Sequence, residues 1–286
     1  MRNTGRVGAA IALGAVLLSG AASAAGTSSL YYERTLLSIA GDRCRLFTPQ
    51  VAAALAAASR QARGAALRAG FDAAELRATE GRARTMAMTV SCKSKDLTTA
   101  ADRVRTAFEG YAHLFKMSFP GTLASWQADR SVSKVAVRWR LTQTAGGMTL
   151  GVTSDYPNGL TAVASAKAVA ASGARLVMRD QTLAPSPYLD ARNPTLAGRQ
   201  APRSATTAFL ASGRGPAPEG LVPVGAVGAA FRFPAAAANA LDDLDPREAI
   251  ALELVYPASR GAERVETILF EVGDFAAGRA FLAAQP

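Results

Sequence analysis

Few side chains in this sequence are equipped for catalysis or metal ligation. It holds one histidine, His113, and two cysteines, Cys44 and Cys92, which nearly excludes a Cys/His zinc site or an iron–sulfur cluster and leaves His113 as the only imidazole for a catalytic triad. His113 falls in the helically spaced run 108–117, where a lone histidine packs or is solvated far more often than it catalyses. No G-x-S-x-G elbow occurs. Ser131-Val132-Ser133-Lys134 matches S-x-x-K, in which a lysine deprotonates the serine, but it opens an alternating strand pattern and has no S-D-N or K-T-G companion. Chance accounts for it.

Carboxylates cluster at Asp242, Asp243, Asp245 and Glu248. Glycoside hydrolysis needs two acids across one cleft, and calcium needs a cage of oxygens. The same residues also satisfy helix-terminus chemistry. A helix ends here, and Asp245-Pro246-Arg247-Glu248 then offers Asp as cap, Pro at the first position and Glu at the third. The capping reading is preferred. The calcium-loop, Walker A and G-x-G-x-x-G patterns are absent, so no metal or cofactor is expected.

Arginine supplies the remaining polar signal. If the strands alternate as their patterns suggest, Arg138 and Arg140 share one face of a strand, and Arg175, Arg179 and Arg232 lie on the polar faces of theirs. Joined in one sheet, these five would make an anion-binding face able to grip carboxylate or phosphate bidentately. The competing and preferred reading pairs such arginines across strands with Glu253, Glu266 and Glu271 as a solvated sheet face. Tyr31, Tyr32, Trp126 and Tyr188 could stack on sugars or a partner, but isolated aromatics more often join the core.

Two kinds of element must carry these groups. Between 29 and 117 the apolar period is helical: Leu37, Ala40, Cys44 and Phe47 form one stripe, Thr48-Pro49 starts a second helix that stops at Gly70, and Asp72 with Glu75 forms a capping box flanked by a Phe71–Leu76 staple. A third helix carries Leu76, Ala83, Met86 and Val90, with Cys92 at its end. A fourth carries Ala101, Val104, Phe108, Tyr111 and Phe115 and stops at Phe119-Pro120-Gly121. After Trp126 the period becomes two. Strands are expected at 135–141, 148–153, 160–165, 175–179, 206–211, 224–233, 249–256 and 264–272, with turns at Ala145-Gly146-Gly147 and Pro157-Asn158-Gly159. Two late segments, Phe231-Arg232-Phe233-Pro234 and Phe270-Glu271-Val272-Gly273-Asp274, each lead into a helix, a weak hint of duplication. The stretches 180–204 and 213–223 show no clear period and read as loops or missed strands.

The fold class is therefore α+β: a disulfide-stapled helical bundle at 25–125, then an antiparallel β-rich sheet or sandwich with late helices at 126–286. The chain has 286 residues, 49% of them hydrophobic, enough for a core, although 64 are alanine. Residues 1–24 read as a cleaved secretory signal: Arg2 and Arg6 precede an apolar run at 7–18, and Ala22-Ser23-Ala24 is a small-residue cleavage site. That run is shorter than the roughly 20 residues a membrane span needs, and no stable span is expected after cleavage. Removing Arg2 and Arg6 leaves 30 basic against 22 acidic side chains, a formal +8. The basic set is 27 Arg and 5 Lys in the whole chain, a bias that fits a GC-rich bacterial genome as well as selected chemistry; with no long basic run, no nucleic-acid partner is expected. In an oxidising compartment Cys44 and Cys92 pair as a structural disulfide.

These readings converge on a periplasmic or secreted protein of non-catalytic type. Its role would be envelope or extracellular interaction, with an envelope protein or an anionic polymer as partner. The alternatives are a carboxylate-based secreted hydrolase, favoured if two carboxyl groups face one pocket with unequal pKa values, and anionic-polymer binding through the arginine face.

Overall fold

A computed structural model describes residues 24–132, 137–164, 170–217, 221, 228–257 and 263–283. The expected signal segment apart from Ala24, the Ser133 and Lys134 half of the S-x-x-K match, the side chain of Arg138 and much of 213–227 lie outside the described residues.

Four helices come first: α1 (Ala24–Cys44), α2 (Pro49–Arg68), α3 (Ala73–Thr89) and α4 (Lys95–Ala112). Their ends obey local chemistry. Thr48 Oγ1 accepts from the Val51 amide with Pro49 in the first turn of α2, and Asp72 and Glu75 close the capping box of α3. α1 stops where Arg45 takes a left-handed conformation, φ 53°, and the Leu46 amide returns to the Gly41 carbonyl. Phe47 therefore lies beyond the helix and folds back on Gly41, where a Cβ would collide with its ring. On α3 the buried stripe is Leu76, Thr79, Ala83 and Ala87. Met86, expected on that stripe, is exposed, because α1 packs over the small residues beside it. The Cys44–Cys92 disulfide, with Cα atoms 5.5 Å apart, ties the end of α1 to the segment after α3.

α4 also ends earlier than its stripe suggests. His113 is its exposed C-cap, and Phe115 lies past it, 58% exposed. The strands then follow: β1 (Lys116–Pro120), β2 (Ser125–Val132), β3 (Val137–Ala145), β4 (Met148–Thr153), β5 (Tyr156–Ala164), β6 (Gly173–Arg179), β7 (Thr206–Leu210), β8 (Gly213–Pro216), β9 (Ala229–Phe233), β10 (Ala249–Tyr256) and β11 (Arg264–Glu271). Helix α5 (Ala235–Asp243) separates β9 from β10, and α6 (Phe275–Ala283) follows β11. One sheet has seven strands in the order β1-β2-β3-β4-β5-β9-β8, the other four in the order β11-β10-β6-β7. Their pairings are antiparallel. Leu141, Leu150 and Phe231 of the first sheet and Ile250, Leu252 and Phe270 of the second share one apolar core with Leu241 of α5 and Phe281 of α6.

The sheet thus begins at Lys116, ahead of the change of period at Trp126. The turn expected at Pro157-Asn158-Gly159 is instead Ser154-Asp155, because Thr153 pairs with Tyr156 and Gly159 is needed inside β5, where a Cβ would meet the Tyr156 ring and the Phe233 carbonyl. Asp245-Pro246-Arg247-Glu248 makes the expected bonds, Arg247 N to Asp245 Oδ1 and Asp245 N to Glu248 Oε2, yet forms a turn and leads into β10. Arg179 explains this: its guanidinium grips Glu248 at 2.7 and 2.8 Å and holds the chain in the sheet. The two strand–helix units resemble each other in order, but β9 and β11 belong to different sheets.

Buried glutamates pin the irregular stretch after β6. Glu248 accepts from the Tyr188 amide, Glu253 from Arg203, and Glu271 from Arg199. Glu271, fully buried, also takes the amides of Thr122, Leu123 and Ala124 at 2.6 to 2.7 Å. Its backbone N–H and C=O meet the side-chain amide of Gln143, which stands in for a neighbouring strand.

Candidate functional site

Helix α2 packs along α6 and joins the helical region to the sheets. Gly64 makes the approach possible, since a Cβ there would strike the Asp274 carboxylate. Arg68 then pairs bidentately with Asp274 at 2.7 and 2.8 Å, and Arg247 donates to the Leu67 carbonyl at the end of α2. Gly273, with φ 50°, turns the chain from β11 into α6.

Above this joint lies a cleft of about 440 Å³ between α2, α3, α5 and the β11–α6 turn. The alanine run of α5 buries Ala237, Ala238 and Leu241 in the core, which leaves Asp242 and Asp243 on the cleft side. Arg60 and Arg63, one turn apart on α2, and Glu80 of α3 complete its charged lining. Glu80 accepts from the Tyr31 hydroxyl at 3.1 Å. Burial and this carboxylate push Tyr31 up to about 12.

Asp242 is a strongly perturbed group in the cleft. Its Oδ2 accepts from Arg279 at 2.5 Å, while its Oδ1 is buried with no hydrogen-bond partner among the described residues. Burial pushes its pKa up to about 6; Arg279 and Arg60 oppose the rise and Asp243 adds to it. Asp274, 1% exposed, is also raised by burial, against the pull of Arg68. The cleft therefore offers a carboxyl that changes charge near pH 6 and two arginines that make no salt bridge among the described residues. Arg60 makes one long bond, 3.5 Å, to the Ala276 carbonyl, and Arg63, half-buried, acts on Tyr31 through charge.

The residues singled out in the sequence lie elsewhere, apart from Asp242 and Asp243. The five arginines are divided between the sheets. Arg140 on β3 pairs with Asp129 on β2 at 3.2 Å, and Arg232 on β9 stands 5.9 Å from the Tyr156 ring. Arg138 on β3 is in register with Ser131. Arg175 and Arg179 belong to β6 in the other sheet. Arg175 pairs with Glu253 directly opposite on β10, as the cross-strand reading expects. Arg179, expected on a polar face, is 6% exposed and held by Glu248, because the irregular stretch after β6 covers that end of the strand. Of the aromatics, Trp126 is buried against Phe275, Tyr31 is buried in the helical region, and Tyr188 is exposed.

Sequence reasoning did not find Arg60, Arg63 or Glu80. The one local sign was Gly64, a glycine inside an alanine-rich helix where close approach is the physical reason to keep it. Arg130 also escaped notice. It is 3% exposed, lies 3.4 Å over the Phe281 ring and donates to the Phe281 carbonyl, placing a cation at the C-terminal end of α6. Comparison with protein-family models, curated proteins and solved structures gives no match, so any function must be argued from the cleft itself.

Proposed function

We propose that the protein is a periplasmic or secreted bacterial binding protein of the envelope or cell exterior, and that the cleft between its helical region and its sheets takes the ligand. One observation carries this reading: a concave site of about 440 Å³ that combines Arg60 and Arg63 with Asp242, Asp243 and Glu80. Ligand sites favour such junctions, with a few convergent polar groups fixing orientation. The disulfide and the N-terminal pattern of basic, apolar and small residues support export.

The test is capture from native envelope and culture supernatant with the tagged protein and with Ala276→Trp, which fills the cleft mouth. Circular dichroism confirms that both are folded, and mass spectrometry identifies what is bound. A compound recovered in stoichiometric amount with the wild type and lost with Ala276→Trp supports the reading. Equal recovery with both places binding elsewhere and overturns it.

Asp242 favours a second reading. A carboxyl that keeps its proton up to about pH 6 beside Asp243 and Glu80 has the character of the general acid in carboxylate-based hydrolysis. Turnover of chromogenic glycosides that Asp242→Asn abolishes would promote that reading over simple binding.

A further inference from the structure

The charges around the cleft differ in how fully they are matched. Arg68 is consumed by the bidentate pair with Asp274, and Arg279 by Asp242. Arg60 and Arg63 make no salt bridge among the described residues: the first reaches a backbone carbonyl at 3.5 Å and acts on Asp242 through charge, and the second is half-buried beside a neutral tyrosine. Both guanidinium groups stand on one side of α2, three positions apart. Across from them α5 presents Asp243, exposed at the rim, and Asp242, whose Oδ1 has no donor. Adjacent like charges on α5 repel, and a cation between or beside them relieves that repulsion. Arg63 and the outer side of Arg60 on one wall and the exposed Asp243 on the other form a dipolar site.

Taking the cleft as the ligand site proposed above, we infer that it takes a small zwitterion bearing an ammonium group and a carboxylate, such as a free amino acid or the two ends of a short peptide. The carboxylate lies against Arg60 and Arg63, where a guanidinium can bind it bidentately. The ammonium lies against Asp243, exposed at the rim. A volume of about 440 Å³ is at the small end of the range for ligand pockets, which suits a ligand of one or two residues and excludes a long folded partner from the cleft itself. A ligand with a single charge leaves one wall unmatched and pays its desolvation without compensation.

Isothermal titration calorimetry on the full protein at low ionic strength reads this directly, with four probes: alanine, Ala-Ala, N-acetyl-Ala-Ala and Ala-Ala amide. The expected result is that Ala-Ala or alanine binds and that blocking either end weakens binding about tenfold or more, a loss of one charge-matched contact. The better of alanine and Ala-Ala reports the separation of the two walls. Arg63→Gln then removes the preference for free carboxylate over amide, and Asp243→Asn removes the preference for free amine over N-acetyl. Such paired losses mark two separate subsites, since a merely structural disturbance would weaken all four probes alike. Blocked and free forms binding equally, with all binding abolished by Ala276→Trp, would overturn the zwitterion inference and leave the cleft as the ligand site. No binding by any probe also overturns the inference; the capture experiment then decides the fate of the broader reading by whether its ligand depends on Ala276.

Discussion

Asp242→Asn asks whether the wall between α5 and α6 is as dry as its geometry implies. The Asp242 side chain is 18% exposed, and Oδ1 is shielded without a partner. Its pKa moves from 3.8 to about 6, which at about 1.4 kcal/mol per unit makes the linked free energy roughly 3 kcal/mol. The sign follows from the direction. The folded chain holds this proton more tightly than the unfolded chain, so the contribution to stability is complete below pH 4 and is lost as pH rises through about 6. Asparagine keeps the shape and an acceptor for Arg279 but does not titrate. The stability of Asp242→Asn relative to wild type is therefore expected to rise by about 2–3 kcal/mol between pH 4 and pH 8. Urea unfolding at several pH values, followed by tryptophan fluorescence, measures it; Trp126 is fully buried against Phe275 of α6 and reports on that region. A difference between the two proteins that stays constant within about 0.5 kcal/mol over this range would refute the argument that Asp242 is desolvated.

Two further outcomes follow from buried connections. Replacing Cys44 and Cys92 together by alanine opens a link across 48 positions and is expected to cost about 4 kcal/mol through the freed unfolded chain, read as a lower urea midpoint; an unmoved midpoint would show that the link does not restrain that chain. Glu271→Gln leaves an amide where a carboxylate now accepts from three backbone N–H groups, with an expected loss of about 3 kcal/mol or more. Hydrogen exchange at Thr122, Leu123 and Ala124 should accelerate together, and unchanged protection there would contradict the role given to Glu271.

What the sequence reveals depends on how far apart the deciding residues are. The Asp72–Glu75 box, the Thr48–Pro49 start and the Gly146-Gly147 turn are readable because each is decided within a few positions; both glycines have positive φ, 54° and 75°. The disulfide is readable because only two cysteines exist. β1 is not, since its five residues continue the apolar run of α4 and become a strand only by pairing with β2. At Asp245–Glu248 the local bonds and the strand after them are those expected, but nothing nearby announces that Arg179, 69 positions from Glu248, holds the turn. The cleft shows the same limit. Asp242 and Asp243 stand out as carboxylates, but nothing near them in the chain announces that Arg60, Arg63 and Glu80 will face them. Burial of Arg130 is equally silent, because its compensation comes from the Phe281 ring and a helix end 151 positions away.

The Arg68–Asp274 pair joins residues 206 positions apart, so one side of the helical region is covered only when the last described elements are in place. Helix α2 is made early, but the surface that covers it is α6, at the other end of the described chain. Without Asp274, Arg68 loses its bidentate partner and the small-residue face around Gly64 loses its cover. A truncated chain that stops before β11 therefore leaves that side of the helical region uncovered, a state that proteases and chaperones can recognise. The same C-terminal strand and helix also complete the cleft, since Val272, Gly273, Asp274, Ala276 and Ala277 line it.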